Sequence, residues 1–305
     1  MTTRTVAERP GPAAATADGD RLARRLAYVT VCVPAVGFAA AVAYSTRYGF
    51  TAADGILLGA MYLVTTLGVE GGLHRFFSHW SFASGSTMTT LWGAAGSMAA
   101  QGPILFWVAT HRIHHAFTDT DRDPHSPRPI GHGRLARWRG LWHGHAGWLF
   151  TVRRENWSKH VPDLLANRTV MKVNKFYFGW VLLGLALPAA LGGLLTWSVS
   201  GAVGGLLWGG LARIFLLDQV TWGVNSIGHA LGSRPYRTRD NSRNVALLAA
   251  ISAGGSWHNN HHARPSLAVN RHTFWQIDMT GACIRALDML GLVSNVRYRT
   301  PHEPK

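Results

Sequence analysis

Residues 54–79 read DGILLGAMYLVTTLGVEGGLHRFFSH. From Gly55 to Leu73 this stretch is almost wholly apolar, with Glu70 its one charge, and it approaches the roughly 20 residues a helix needs to cross the hydrocarbon of a bilayer. It then delivers two histidines, His74 and His79. Two more clusters, His111-Arg-Ile-His114-His115 and His258-Asn-Asn-His261-His262, also sit beside the ends of apolar stretches. The pattern reads as a metal site built at a membrane surface. Neutral imidazole is a common ligand of first-row metals, and a nitrogen-rich set without thiolates suits iron, copper or zinc rather than magnesium or calcium. Eight clustered histidines exceed what one ion binds, so two metals sharing one cage is the economical inference.

Composition agrees. The chain has 305 residues, 47% hydrophobic and 15% charged, against the roughly 25% charged of a soluble domain. Cys32 lies in an apolar run far from Cys283, which suggests neither a disulfide framework nor a thiolate zinc site. Four stretches, 28–46, 54–73, 177–197 and 203–224, approach spanning length. They explain the net charge of +15. Of 30 Lys and Arg, 28 fall in residues 1–27, 74–175 and 228–305, leaving only Arg47 and Arg213. That is the positive-inside pattern, and it removes the need for a nucleic-acid partner. It predicts a cell-membrane protein with both termini and the histidine-bearing loops in the cytoplasm. The expected organisation is a disordered cytoplasmic N-terminus (1–27), a membrane domain (28–265) and a cytoplasmic C-terminal segment (266–305). Arg21, Arg24 and Arg25 precede a run that continues through Pro34 to Tyr44, which reads as a signal anchor rather than a cleaved signal.

Geometry arbitrates the ambiguous apolar segments 87–109 and 245–257. If 87–109 crossed the bilayer, His79 and His111 would lie on opposite sides and could not share a cage. It is therefore read as an interfacial or re-entrant helix, a reading its Gly93, Gly96, Gly102 and Pro103 favour. The fold class predicted is an all-α integral membrane protein with four transmembrane helices, interfacial helices and a cytoplasmic histidine-rich helical cap. In the second and third clusters the histidines stand at i, i+3 and i+4, on one helix face. His74 and His79 are five apart, about 140° around an α-helix, so both can ligate only where the helix ends or bends. No HExxH occurs, which makes a zinc protease a poor match.

The three boxes, in order and spacing, resemble the membrane-bound fatty acid desaturases, closest to the stearoyl-CoA (Δ9) branch of bacterial type. Further segments carry the resemblance: Gly71-Gly72-Leu73-His74-Arg75, Gln101 through Trp107, Asp123-Pro124-His125-Ser126, His145-Ala-Gly147-Trp148-Leu149 and Asn225-Ser226-Ile227-Gly228-His229. It spans roughly residues 50–265. It implies a ninth ligand, His229, and makes Asn225 a partner to one metal through a bridging water. It also places Gln101 and Trp107 on the substrate tunnel, and Arg153 and Arg154 where the branch contacts coenzyme A phosphates, a role that suits charge-assisted bonds. The implied cofactor is a pair of irons, with O2 as co-substrate, and the implied activity is acyl-CoA Δ9 desaturation in fatty acid biosynthesis.

Two departures qualify this. Ala109-Thr110 precedes the second box where many acyl-CoA desaturases carry Arg-Asp, which opens acyl-carrier protein or an acyl lipid as the carrier. Glu70 stands at i−4 from His74, where the branch usually has a small or hydroxyl residue, and is read as a carboxylate partner for that imidazole. His125 is expected to support the site. Arg213, a charge inside a span, is expected to pair with Asp218 despite their imperfect spacing. A related hydroxylase would carry similar boxes and is separated only by its product. A non-enzymatic metal transporter would place polar ligands along the spans, whereas here the histidines gather on one side. No fused haem or flavin segment is evident, so a reductase and a carrier such as ferredoxin or a cytochrome must supply electrons. The basic face bearing Arg234, Arg237, Arg239 and Arg243 is suited to docking an acidic carrier.

Overall fold

A computed structural model describes residues 12–151 and 157–299, with only the backbone for 12–18 and 20. Four helices are long and apolar enough to span a membrane: Arg21–Tyr48, Ala52–Ser78, Tyr177–Thr196 and Val199–His229. The first belongs to a longer helix, α1, Pro12–Tyr48. Residues 12–27, expected without fixed structure, are therefore helical, and residues 1–11 lie outside the described residues. Leu22, Ala23, Leu26 and Ala27 are good helix formers and carry the helix through Arg24 and Arg25, which is why it does not begin at 28.

The second span, α2 (Ala52–Ser78), is started by a capping box: the Thr51 hydroxyl accepts from the Asp54 amide while the Asp54 carboxylate accepts from the Thr51 amide. Its last section, Gly68–Ser78, unwinds to the wider i→i+5 pitch of a π-helix, and every residue in it is buried. The fourth span contains a second such section at Gly205–Ala212. Glycines explain the close packing there. A side chain at Gly205 would collide with the Pro188 carbonyl and one at Gly209 with the Pro188 ring, so the third and fourth spans meet almost backbone to backbone.

Segment 87–109 folds as two helices, α3 (Ser86–Met98) and α4 (Ile104–Phe117). Ala100 (φ 62°) and Gly102 (φ 114°) turn the chain between them. The interfacial or re-entrant helix anticipated is thus two helices rather than one, and the reversal between them brings His111 back beside His79. Two short helices, Ala136–His145 (α5) and Arg168–Lys175 (α6), precede the third span, α7 (Tyr177–Thr196), and the fourth, α8 (Val199–His229). Segment 245–257 forms a single 3-10 turn, Ala246–Leu248, followed by further turns, and the Ile251 carbonyl accepts from the Tyr62 hydroxyl on α2. The third histidine box lies on the six-residue α9 (His258–Ala263), and α10 (Met279–Met289) follows.

The C-terminal segment is fastened to the first box. Strand β1 (Ala83–Ser84) pairs antiparallel with β2 (Val293–Ser294). Beneath them the fully buried Arg75 meets the Asp278 carboxylate at 2.8 and 3.2 Å and the Ala268 carbonyl at 2.7 Å. The molecule is thus an all-α membrane protein in which spans α2 and α8 carry histidines at the same end, under a cap built from α3–α6, α9 and α10.

Candidate metal centre

Nine histidines converge in two groups. Ring nitrogens of His74, His79, His111, His115 and His261 lie within 4.8 Å of one another, and so do those of His114, His229, His258 and His262. The nitrogen facing inward is Nε2: His74–His261 is 2.9 Å, His79–His111 2.8 Å, His115–His261 3.1 Å, His229–His258 2.9 Å and His114–His262 3.4 Å. The i, i+3, i+4 spacing divides the boxes between the groups. On α4, His111 and His115 face one group and His114 the other; on α9, His261 faces the first while His258 and His262 face the second.

The five-residue spacing of the first box is accommodated by the widened winding of Gly68–Ser78, where i and i+5 become neighbours. The rings of His74 and His79 come to 5.2 Å between centroids. Arg112, inside the second box, locks the two boxes together by donating to the Phe77 and Ser78 carbonyls while its guanidinium meets Asp163.

Four imidazoles give Nδ1 to a carboxylate. Glu70 sits 3.0 Å from His74, Asp123 3.0 Å from His114, Asp119 3.1 Å from His229 and Asp240 2.9 Å from His262. Such partners place the proton on Nδ1 and leave the Nε2 lone pair pointing inward. Glu70 therefore stands where the sequence reading put it. Asp119, Asp123 and Asp240 were not singled out as imidazole partners. Asp119 also accepts from the Asn241 amide, which ties the arginine-bearing loop to the site. Burial, reinforced by the neighbouring imidazoles, holds His111, His114, His258 and His261 well below the ordinary histidine range, and His115 at about 3. These five rings are consequently neutral, the form that ligates. A buried, all-imidazole set in two clusters fits a pair of first-row metal ions.

His125 packs with its ring 4.4 Å from that of His114 and T-shaped against Trp148. Asn225 is half-buried and borders the same cavity as His258. That cavity is also lined by Glu70, His74, Gln101, Phe106, Trp107, Thr110 and His111. Trp107 stacks on His111 at 5.2 Å and 20°. A second, mostly apolar cavity of about 490 Å³ lies between α1, α7 and the α3–α4 turn, and Thr30, Gln101, Phe106 and Leu149 border both. Arg153 and Arg154 lie outside the described residues. The predicted Arg213–Asp218 pairing is replaced by other partners. Arg213 donates to the carbonyls of Gly209, Met98 and Gly184, and Asp218 accepts from Gln101.

Comparison with known proteins agrees with this geometry. Residues 49–281 match the fatty acid desaturase family, and the chain belongs to it. Over 271 residues it is 40% identical to the hex-5-enoyl-[acyl-carrier protein] acetylenase of Moorena producens (strain JHB), covering 88% of this chain and 84% of that one. It is 33% identical over 249 residues to the sn-1 stearoyl-lipid 9-desaturase of Anabaena variabilis, covering 81% and 84%. It is likewise 33% identical over 250 residues to the icosanoyl-CoA 5-desaturase of Limnanthes douglasii, covering 80% and 64%. The chain is thus an oxidoreductase of the kind that desaturates fatty acyl chains.

Proposed function

We propose that this protein removes two hydrogens from adjacent carbons of a saturated fatty acyl chain at the Δ9 position, using O2 and a pair of irons held by the nine histidines. The observation that carries this reading is the junction of the two cavities: imidazoles of both groups border one, and four shared residues lead into the apolar other. His74, His79, His111, His115 and His261 would hold one iron; His114, His229, His258 and His262 the second, with Asn225 beside it through water. Bound there, the irons supply the O2 chemistry strong enough to attack an unactivated methylene. The balance requires two external electrons and two protons, so that O2 leaves as two waters.

The chain's own residues do the rest. Burial keeps His111, His114, His115, His258 and His261 neutral, and Glu70, Asp123, Asp119 and Asp240 fix the rotation of His74, His114, His229 and His262. The apolar cavity holds the acyl chain and excludes water, and Gln101 and Trp107 set which methylenes lie beside the histidines. Positioning governs selectivity when all methylenes are chemically alike. The site faces the cytoplasm of the cell membrane, where an external ferredoxin or cytochrome with its reductase delivers the electrons.

Acyl-CoA is the favoured carrier, with Arg153 and Arg154 at the phosphates. A second reading, acyl-carrier protein or an acyl lipid, is favoured by Ala109 and Thr110. Ala109 is fully buried and Thr110 lines the cavity, so no ionic contact to a carrier is available at either. Purified protein loaded with iron and given a reductase and electron carrier is offered stearoyl-CoA, stearoyl-acyl-carrier protein or stearoyl lipid, and double bonds are located by mass spectrometry. A Δ9 monoene from the CoA ester alone supports the first reading and one from another carrier the second. A hydroxylated product, or iron bound without any product, overturns desaturation.

A further inference from the structure

Asp218 is a carboxylate inside the fourth span, 1% exposed, with Oδ2 unpartnered. An incompletely satisfied buried carboxylate lowers stability and calls for a reason. Its other oxygen supplies one, because Oδ1 accepts from Gln101 Nε2 at 3.1 Å. The second Nε2 hydrogen goes to Thr221 Oγ1 at 3.0 Å, and Gln101 Oε1 accepts from Trp107 Nε1 at 3.4 Å. An indole only donates, so Gln101 turns Oε1 toward Trp107 and Nε2 toward the Asp218 Oδ1 acceptor, and the two neighbours together hold the amide in a single orientation. Trp107 in turn lies flat against His111. A chain of four side chains therefore runs from Asp218 to a histidine of the cage, along the wall where the two cavities meet.

We propose that Asp218 is a positioning residue: by fixing the Gln101 amide it pins Trp107 and thereby sets the carbons from which hydrogen is removed. The proposal rests on the desaturase reading for its effect on product, but the clamp itself does not. Asp218→Asn keeps the size and presents either a donor or an acceptor to Gln101. The amide can then flip, and Trp107 loses its acceptor. Adding Gln101→Glu rebuilds the clamp with roles exchanged, since the amide introduced at position 218 donates to a carboxylate that still accepts from Trp107.

Two measurements test this. In protein with 15N-labelled indoles, the resonance missing from Trp107→Phe belongs to Trp107. It should shift in Asp218→Asn and return in the Gln101→Glu/Asp218→Asn pair, with or without turnover. In product analysis the single variant should spread the double bond over at least two positions, the minor one reaching a third of product, and the pair should restore one. An unmoved indole resonance in folded Asp218→Asn overturns the clamp. A shifted resonance with one unchanged double-bond position overturns its role in selectivity and leaves Asp218 a packing residue. Wild-type protein that makes no alkene sinks the desaturase reading, while the resonance still decides the clamp.

Discussion

Replacing Glu70 tests how the carboxylates act on the cage. Its Oε2 lies 3.0 Å from His74 Nδ1 and the residue is 8% exposed, so solvent offers little substitute. Glu70→Gln leaves an oxygen able to accept from Nδ1–H and removes only the charge. Glu70→Ala removes the acceptor and strands a buried N–H. Partners of this kind are worth about 10–100-fold in metal affinity, or about 1.4–2.7 kcal/mol. The expected series is a loss of about tenfold for Gln and about 100-fold for Ala. His74 belongs to the five-histidine group alone, so only one of two binding events should weaken. Anaerobic titration with Fe(II) against a competing chelator reads both events, and Asp121→Asn, at a fully exposed side chain paired with Arg128, serves as control. Affinities of both Glu70 variants within twofold of wild type, or equal weakening of both events, would refute the reasoning.

Three other outcomes follow from the geometry. His261 touches both His74 and His115, so His261→Ala should cut iron from two to at most one per chain and abolish turnover, as read by metal analysis and product assay. Arg75→Met leaves Asp278 buried without its cation and should lower stability by about 3–5 kcal/mol in a detergent unfolding assay, and adding Asp278→Leu should recover part of it. Burial raises the Asp163 carboxyl, but bonds from Arg112 and Trp80 outweigh it and hold the group at about 2, below its ordinary 3.8. A depressed carboxylate stabilises above its unfolded value, so this contribution, about 1 kcal/mol after screening at a part-exposed site, should vanish as pH falls from 4 to 2. Asp163→Asn should remove it at pH 7 and flatten the acid limb.

Much of this was legible because membrane physics writes long signals. Spanning stretches and charge asymmetry are coarse, and the i, i+3, i+4 spacing of two boxes survives into the fold. The Glu70 contact was readable for the same reason, being one turn from its histidine. Asp119, Asp123 and Asp240 act on rings brought near by tertiary folding. A signal existed even so: the chain has only 15 acidic residues, and three of them crowd into Asp119–Asp123 just after the second box. Asp240 was hidden among arginines read as a docking face. His229 was found only through resemblance, since a lone histidine at a helix end has no local pattern. The α3–α4 reversal was half-visible, its Gly102-Pro103 noted but its two-helix form not drawn.

The loosened winding at the end of α2 makes the cage vulnerable to a particular kind of heritable change. Each residue of an α-helix advances the chain by about 100°. An in-frame loss of one codon between His74 and His79 would let the segment tighten into ordinary helix and swing the remaining residues round by about that angle. The membrane anchor upstream would insert as before, yet His79 would leave His111 and one of the buried residues 75–78 would be lost from the packing. A triplet deletion there would therefore silence the gene product more surely than most substitutions elsewhere in the span, which leave the register of the histidines unchanged.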